Sequence, residues 1–429
     1  MPFDALFVPP DVREATGERA WLQAILDFEV ALARAQARAG LIDQSLAEAI
    51  AGAQVDFDGL MDAGHASGNP AAPLVELLPD GAHRGATSQD AMDTAAALVS
   101  RRALAVIDAQ LAAVGASCAQ LASDHRDTPM AARTLLQQAL PTTFGLKAAG
   151  WLVAVDEARE RLAAVPLEVE LGGAAGTLAS LGDDGLRVLS LLAAELELAE
   201  PVLPWHTRRG RVGELGAALA LAAGAVEKIA LDVKLMAQTE VGEVSESSAG
   251  GRGGSSALPH KRNPVGSTLA IASAHGVRGA ASVLLAVQAQ EHERAGGAWQ
   301  AEWEALSRAL ALTGGAAAAL REALDGLEIH PDRMRANLEL TGGLLLAEAV
   351  STALADGVGR AQAKAVVAEA SRRATDGGRS LRDELIDDER IELSAEEIDR
   401  ALDPAAYLGS AGALVDRALE AHRRRGDGG

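Results

Sequence analysis

The chain has 429 residues and a formal net charge of −21. This charge argues against nucleic acid as a partner, because the protein and the nucleic acid would both be polyanions. Its single cysteine, Cys118, excludes an intrachain disulfide and any metal site built from a cysteine cluster. Hydrophobic residues make up 48%, much of it alanine, and aromatic residues only 3%, so the composition favours closely packed helices over a sheet.

Proline placement predicts the architecture. Residues 205–258, 265–330 and 332–403 contain no proline and are rich in helix-forming residues, which allows unusually long helices. The stretch 212–241 is apolar around most of its circumference, so we expect it to be buried on several sides. We predict an all-α fold with a long central helical bundle that is completed by other subunits and flanked by two smaller helical domains.

Three helical domains are expected along the chain: an N-terminal domain over 1–105, the central long-helix bundle over 106–345, and a C-terminal domain over 346–429. A loop over 245–264 interrupts the bundle. The N-terminus has no basic segment followed by an apolar run, and no run of eighteen apolar residues occurs. We therefore expect a soluble, cytoplasmic protein with no membrane partner.

The first segment with functional side chains is residues 83–90, which read HRGATSQD. Thr87 or Ser88, followed by Asp90 and an alanine-rich run, predicts the N-cap of a helix. A helix start rich in hydroxyl groups can also bind an anion, because its backbone N–H groups are unpaired.

The second segment, residues 133–145, reads RTLLQQALPTTFG. Considered alone, this pattern predicts an amphipathic helix broken at Pro141 and indicates no function. The glycine-rich run 171–177 is predicted to be a turn or an irregular crossing; it lacks the lysine of a phosphate-binding loop.

The third segment, residues 253–264, reads GGSSALPHKRNP and is the most informative part of the chain. Asn263 is predicted to be an N-cap with Pro264 as the first helical residue. The free N–H groups of that helix and the charge of Lys261 favour an anion. A glycine-rich loop with a hydroxyl group beside an anion site indicates an enzyme that acts on a carboxylate.

These three segments, in this order, resemble the HxGxTSxD, RTHxQxAxPTTxG and GSSxMPxKxNP elements of the fumarase/aspartase superfamily. The resemblance implies that Ser255 exchanges a proton with the carbon next to a substrate carboxylate. It also implies that the substrate is bound by His83, Thr87, Ser88, Thr134, Gln137, Lys261 and Asn263. His260 is counted with this group, although solvent is an equally good partner for it.

The departures from the superfamily pattern indicate a subfamily. Leu135 stands where amine-releasing and hydrating members carry histidine, and leucine cannot give a proton to a poor leaving group. Residues 68–73, which read GNPAAP, stand where adenylosuccinate lyases carry another histidine. A carboxylate leaving group needs no such acid. In particular, residues 68–75, 83–85, 133–138 and 204–207 resemble the bacterial cycloisomerases. The resemblance implies conversion of 3-carboxy-cis,cis-muconate to 4-carboxymuconolactone in protocatechuate degradation, the β-ketoadipate pathway of aromatic catabolism.

Other roles remain open at this stage. His206 is expected to be a structural histidine, and Arg252 and Arg262 are expected to anchor the loop. The resemblance implies a homotetramer whose active sites combine residues of different subunits, with no metal and no cofactor. Two rival enzymes are an adenylosuccinate lyase and a lyase that releases nitrite from a substituted succinate (nitrosuccinate lyase). A non-catalytic structural protein on the same fold is disfavoured by Ser255, Lys261 and Asn263.

Overall fold

The computed structural model describes residues 3–254, Leu258 and residues 260–426, and this part of the chain is predominantly α-helical. The helices are α1 (Asp4–Phe7), α2 (Pro10–Thr16), α3 (Glu18–Ala39), α4 (Gln44–Ala51), α5 (Leu60–Ala63), α6 (Ala71–Val75), α7 (Ser88–Asp124), α8 (Phe144–Ala163), α9 (Gly185–Leu196), α10 (Gly210–Met236), α11 (Val265–Ala286), α12 (Ala298–Asp325), α13 (Pro331–Glu339), α14 (Ala347–Val358), α15 (Arg360–Gly377), α16 (Leu381–Ile386), α17 (Ala395–Ala401) and α18 (Ala411–Gly426). Short 3-10 helices occupy Ala179–Asp184, Ala249–Gly251, Leu344–Leu346 and Pro404–Ala406.

Two small antiparallel ladders complete the secondary structure. Strands β1 (Pro129–Thr134) and β2 (Gln137–Thr143) form a hairpin, and β3 (Val244–Ser245) pairs with β4 (Glu328–Ile329). The prediction of an all-α fold is confirmed, because these strands are short and the helices dominate.

The long helices predicted from proline placement are present. Helices α10 and α12, which lie in the predicted stretches, have 27 and 28 residues, and α7, which lies outside them, has 37. In α10, Leu219, Val226 and Ile229 are fully buried on one face. On the opposite face Leu221, Leu231 and Leu235 are 58%, 42% and 37% exposed, so the predicted burial on several sides is not found within this chain. The helix ends at Met236, and Gly242 with φ of 62° follows shortly after.

The chain divides into two compact units. The first comprises Met1–Ala112, Glu157–Glu227 and Leu269–Leu320. Its helix α3 packs against α4 and α9, and Leu22, Ile25 and Phe28 of α3 are fully buried. The division of the chain into three domains at residues 105 and 345 remains a prediction.

The second unit comprises Ala113–Asp156, Lys228–Thr268 and Arg321–Gly429. It contains both ladders, and α13 packs against β1. Near the C-terminus α15 packs against α14 and α16 around an apolar cluster that includes Val350, Leu354, Val366 and Leu381.

Two helices of the described chain, α7 and α11, are long and apolar enough to cross a membrane by length and composition alone. The bent pair Pro331–Glu339 and Leu344–Val358 passes the same test if it is taken as one span. Only 33% of the most apolar stretch of α7, and of α11, is buried within the chain.

Candidate active site

The first candidate segment lies at the start of α7, in the first unit. The helix begins at Ser88, and the Thr87 N–H donates to Asp90 Oδ2 at 2.9 Å, which confirms the predicted capping arrangement. The buried Asp90 carboxylate also accepts the N–H groups of Gly172 and Gly173 at 2.9 and 3.0 Å. The glycine-rich turn is therefore bound to the carboxylate that orients Thr87, a role that the sequence did not indicate.

His206 is buried behind this helix start. Its Nε2 lies 2.6 Å from Asp90 Oδ1 and 3.7 Å from Glu170 Oε1. Burial, with the charges of Asp90 and Asp93, raises the pKa of Glu170 well above its usual value. The three side chains lie close enough to share a metal ion, and the Asp90 carboxylate in addition accepts two backbone N–H groups. His206 is a hydrogen-bonded structural histidine, as expected.

His83 precedes this helix start and has a φ of 58°. Its Nδ1 lies 2.6 Å from Oε1 of Glu29, whose side chain is fully buried. Burial of the His83 ring opposes protonation, but the hydrogen bond and charge of Glu29, with the charge of Asp90, raise the pKa of His83 above its usual value. His83 is therefore a cation-forming group in the candidate segment.

We expect the Glu29→Gln variant to lose stability mainly at low pH. The pKa of His83 is raised in the folded state, so the stabilisation is fully present below about pH 6.5, the pKa of an unfolded-state histidine, and is lost as pH rises through the folded-state pKa. Denaturant unfolding of wild type and variant from pH 5.5 to 9 measures this difference. In a His83→Asn background the difference should no longer depend on pH. A difference that is constant across pH in the wild-type background would contradict the prediction.

A cavity lies beside the same helix start. It has a volume of about 810 Å³ and is lined in part by Asn69, Met92 and Trp303. Met92 is one helical turn after Ser88, so both residues lie on the same face of α7. Asn69 belongs to the segment that resembles the cycloisomerases, and the structure places it in the wall of a cavity large enough for a small polycarboxylate.

The second candidate segment is a β-hairpin, so the prediction of a helix broken at Pro141 was wrong. Thr134 pairs with Gln137 at the tip, and Leu135 and Leu136 form the connecting turn with φ of 50° and 66°. A two-residue turn with positive φ at both positions matches the twist of a hairpin. Tertiary pairing of the strands overrides the helical pattern, which spans too few residues to form a stable helix alone.

The hairpin tip is exposed. Leu135 and Leu136 are 97% and 79% exposed, and Thr134 and Gln137 are also exposed. Each non-glycine residue with positive φ raises the free energy of the folded state by roughly 1–2 kcal/mol. Two such residues with apolar side chains in water make this tip a candidate for contact with another molecule.

Close to its tip, where Arg133 pairs with Gln138, the hairpin is tied to the polypeptide that precedes the third segment. Arg133 donates to both oxygens of Glu243 at 2.9 and 2.7 Å, and the Glu243 side chain is fully buried. Asn337 Nδ2 also donates to Glu243 Oε1 at 2.8 Å. This buried network connects β1 to the residue directly before β3.

The third segment is described in part. Ser255, the predicted catalytic residue, lies outside the described residues, together with Ser256, Ala257 and Pro259. His260 and Lys261 are exposed, and Asn263 is partly buried. The Asn263 side chain and backbone N–H both donate to the Gly253 carbonyl at 2.9 Å, which closes the loop at its base.

The helix that follows this loop does not begin as predicted. Helix α11 starts at Val265, so Asn263 is not its N-cap and Pro264 is not its first residue. The buried carboxylate of Glu246 accepts the N–H groups of Gly266 and Ser267 at 2.9 Å. Two N–H groups at the N-terminus of α11 are thus taken by a protein carboxylate and are not free for a substrate anion, so of the groups predicted to bind an anion here Lys261 and Asn263 remain candidates.

Two arginines hold the ends of the loop, as expected. Arg252 Nη2 contacts Glu322 Oε2 at 2.5 Å, and Arg262 Nη1 contacts Glu328 Oε2 at 2.5 Å. The hydrogen bond from Arg262 lowers the pKa of Glu328. Between these anchors, Lys261 makes no ion pair with a carboxylate of the described residues.

The predicted site residues are divided between the two units. His83, Thr87 and Ser88 belong to the first unit; Thr134, Gln137, His260, Lys261 and Asn263 belong to the second. Within the described part of the second unit, no hydrogen bond joins the hairpin tip to residues 260–263.

Sequence reasoning missed two groups around these segments. Arg294 Nη1 donates to Thr87 Oγ1 at 2.5 Å, and only the charged run before Gly296 and Gly297 signals this arginine in the sequence. The second group is the buried Arg209, which donates to Asp93 at 2.8 and 3.0 Å. No local pattern predicts it, because its partners are distant in the chain.

The chain is similar to known proteins along its whole length. A family model described as "Lyase" matches residues 76–279, and one described as "Adenylosuccinate lyase C-terminus" matches residues 343–418. The chain is 46% identical to a 3-carboxy-cis,cis-muconate cycloisomerase of Pseudomonas aeruginosa, over 99% of this chain and 97% of that protein. It is 47% identical to a nitrosuccinate lyase of Streptomyces davaonensis, over 95% of this chain and 92% of that protein.

A solved structure agrees with these relatives. The 3-carboxy-cis,cis-muconate lactonizing enzyme of Pseudomonas putida superimposes with a TM-score of 0.93 at 44% identity. The superposition covers 98% of this chain and 99% of that chain.

Proposed function

The chain belongs to the fumarase/aspartase superfamily of lyases, and within it we propose that the protein is a cycloisomerase that converts 3-carboxy-cis,cis-muconate to 4-carboxymuconolactone. The observation that carries this proposal is the likeness to cycloisomerases over 98–99% of the chain. We assign the reaction to the β-ketoadipate pathway of protocatechuate degradation, in the cytoplasm.

The proposed reaction forms one carbon–oxygen bond and one carbon–hydrogen bond. A carboxylate oxygen of the substrate adds to an alkene carbon, and the electron pair of the double bond moves into the carboxylate at the other end. Ser255 then gives its proton to the carbon next to that carboxylate. The O–H bond of Ser255 breaks in this step, and a proton from solvent restores it, so the reaction takes up one proton, transfers no electrons and, as written, needs no cofactor.

Lys261 and Asn263 are proposed to stabilise the negative charge that accumulates during this addition. Fixed donors of this kind contribute on the order of 10²–10³-fold each. Lys261 has no carboxylate partner among the described residues, so its charge is available to a ligand. Thr87, Ser88, Thr134, Gln137, His83 and His260 are proposed to orient the remaining polar groups of the substrate.

Leu135 supports the choice of reaction. The superfamily's acid histidine is replaced by leucine at the tip of the hairpin, where it can pack against substrate but cannot transfer a proton. In the lactone-opening direction the leaving group is a carboxylate, whose conjugate acid has a pKa near ~4, so no acid is needed. An amine leaving group, as in adenylosuccinate cleavage, would need one.

Nitrite release from nitrosuccinate is the second candidate function. It is favoured by the 47% identical relative of that name, and nitrite, like carboxylate, leaves without a proton donor. Both candidate substrates carry planar groups with two oxygen atoms, which the same hydrogen-bond donors can bind.

We also propose that the protein is a homotetramer with active sites shared between subunits. Helices α7 and α11 are strongly apolar yet only a third of their most apolar stretches is buried within one chain. Burial of such surface is the main driving force of subunit association. The exposed leucines of the hairpin tip would then lie in the active site of a neighbouring subunit.

The deciding experiment is a spectrophotometric assay with 3-carboxy-cis,cis-muconate, in which loss of the conjugated diene absorbance reports lactonisation. We expect kcat/KM of at least about 10⁴ M⁻¹s⁻¹, the lower end of ordinary enzymes. Parallel samples contain nitrosuccinate, with detection of nitrite, and adenylosuccinate. Light scattering should show a mass of four 44.0-kDa chains. Nitrite release by a tetrameric sample that leaves the diene unchanged would transfer the assignment to the nitrosuccinate lyases.

A further inference from the structure

Arg294 lies on the connection between α11 and α12, in the same unit as the start of α7. Its Nη1 donates to Thr87 Oγ1 at 2.5 Å, and its Nε lies 3.4 Å from Gln89 Oε1. A hydroxyl group has one proton to donate and two lone pairs. Since Arg294 occupies a lone pair of Thr87, the Thr87 proton is left to point towards a ligand.

The charge of Arg294 is not compensated within the described chain. The side chain is exposed and forms no ion pair with a carboxylate of the described residues. Arg252 and Arg262, in contrast, each pair with a glutamate. A guanidinium group with several free N–H donors, beside a hydroxyl group, matches the two oxygen atoms of a carboxylate.

The position of Arg294 relative to Thr87 is held by hydrogen bonds on both sides of it in the chain, of which the one from Trp299 is buried. Thr207 Oγ1 donates to the His292 carbonyl at 3.1 Å, and Gly297 N–H donates to Gln300 Oε1 at 2.8 Å. Just beyond, Trp299 Nε1 donates to Asp93 Oδ1 at 2.9 Å, and Asp93 lies on α7 itself. The connection is therefore fastened to the helix whose first residues bind the substrate in the proposed function.

The roles proposed above do not say which residues hold each carboxylate of the substrate. Lys261 and Asn263 hold the carboxylate next to the carbon that is protonated, and the attacking carboxylate must be free to reach the alkene. The third carboxylate makes no bond in the reaction and requires a fixed site.

We propose that Arg294, with the Thr87 hydroxyl, binds this third carboxylate and so makes the enzyme selective for tricarboxylates over dicarboxylates. This inference rests on the proposed function for the choice of ligand, and on the Arg294–Thr87 contact for the site.

The test measures binding of two unreactive probes by calorimetry: tricarballylate, with three carboxylates, and glutarate, the same chain without the central one. Wild type should prefer tricarballylate. In Arg294→Gln its affinity should fall about 10- to 100-fold, the worth of a hydrogen-bonded charge pair, while glutarate binding stays within about twofold. The affinity of Arg294→Lys for tricarballylate should lie between those of wild type and Arg294→Gln, because lysine keeps the positive charge but lacks the planar guanidinium group that binds both oxygens of a carboxylate.

Arg34→Gln is the matched control, since Arg34 is an exposed arginine paired with Glu195 on the surface. It should leave both affinities unchanged. The inference would be overturned if Arg294→Gln lowered the affinities for tricarballylate and glutarate equally, or lowered neither. An unchanged thermal midpoint and tetramer mass exclude a merely structural role for Arg294.

The outcome is separable from that of the proposed function, because probe binding requires no turnover. Loss of the tricarballylate preference in a protein that does not lactonise 3-carboxy-cis,cis-muconate would refute the reaction and support the site. Turnover by wild type, with a preference that persists in Arg294→Gln, would support the reaction and refute the site.

Discussion

Replacing Ser255 with alanine should lower kcat for lactonisation about 10²- to 10⁴-fold, the usual contribution of one proton-transfer group. Ser255 is the group proposed to deliver the proton, and alanine cannot do so. KM should change little, because Lys261, Asn263 and the hydroxyl groups of Thr87 and Ser88 still bind the substrate. Initial rates of diene loss at several substrate concentrations measure both constants.

The adjacent serine provides the control for this prediction. Ser256→Ala removes the same atom one residue further along the loop and should keep most of the activity. A variant pair in which Ser256→Ala is inactive and Ser255→Ala is active would reassign the proton donor. Full activity in both variants would show that neither Ser255 nor Ser256 delivers the proton.

Replacing Arg209 with methionine should lower the free energy of unfolding by about 3–5 kcal/mol, the cost of removing one partner from a buried ion pair. Arg209 is 2% exposed and donates to Asp93 and to Glu302, which are themselves 2% and 3% exposed. Without the guanidinium group, both carboxylates are left in the core without a counter-charge. Denaturant unfolding measures the change.

Two further variants separate charge from packing at this position. Arg34→Met removes an exposed arginine and should cost no more than about 1 kcal/mol. The triple variant Arg209→Met, Asp93→Asn, Glu302→Gln removes all three charges and should recover part of the stability lost in Arg209→Met. If Arg209→Met costs no more than Arg34→Met, the buried network does not stabilise the fold as described.

The helical architecture could be predicted because helix formation depends on local composition. Proline-free, alanine-rich segments form α7, α10 and α12 wherever nothing breaks them. The capping of α7 by Thr87 and Asp90 was likewise predictable, since the contact joins residues three apart.

The hairpin and the start of α11 could not be predicted in this way. Leu135 and Leu136 adopt positive φ because β1 and β2 pair around them, and leucine itself has no preference for that conformation. Helix α11 is capped by Glu246, which lies twenty residues before Gly266, so no helix-start pattern near Asn263 records it.

The sequence by itself determined the fold class, the superfamily and the residue types available for chemistry, because these depend on short segments whose order and spacing are visible in one dimension. Only the tertiary structure decided which charged side chains are paired within the protein and which remain available to a ligand. It paired Arg252 and Arg262 with glutamates and placed Glu246 on the helix start that had been predicted to bind an anion. It also brought Arg294 to Thr87 across more than two hundred residues of chain. Electrostatic interactions act through space, so the partner of a charge is set by the fold and not by its neighbours in sequence.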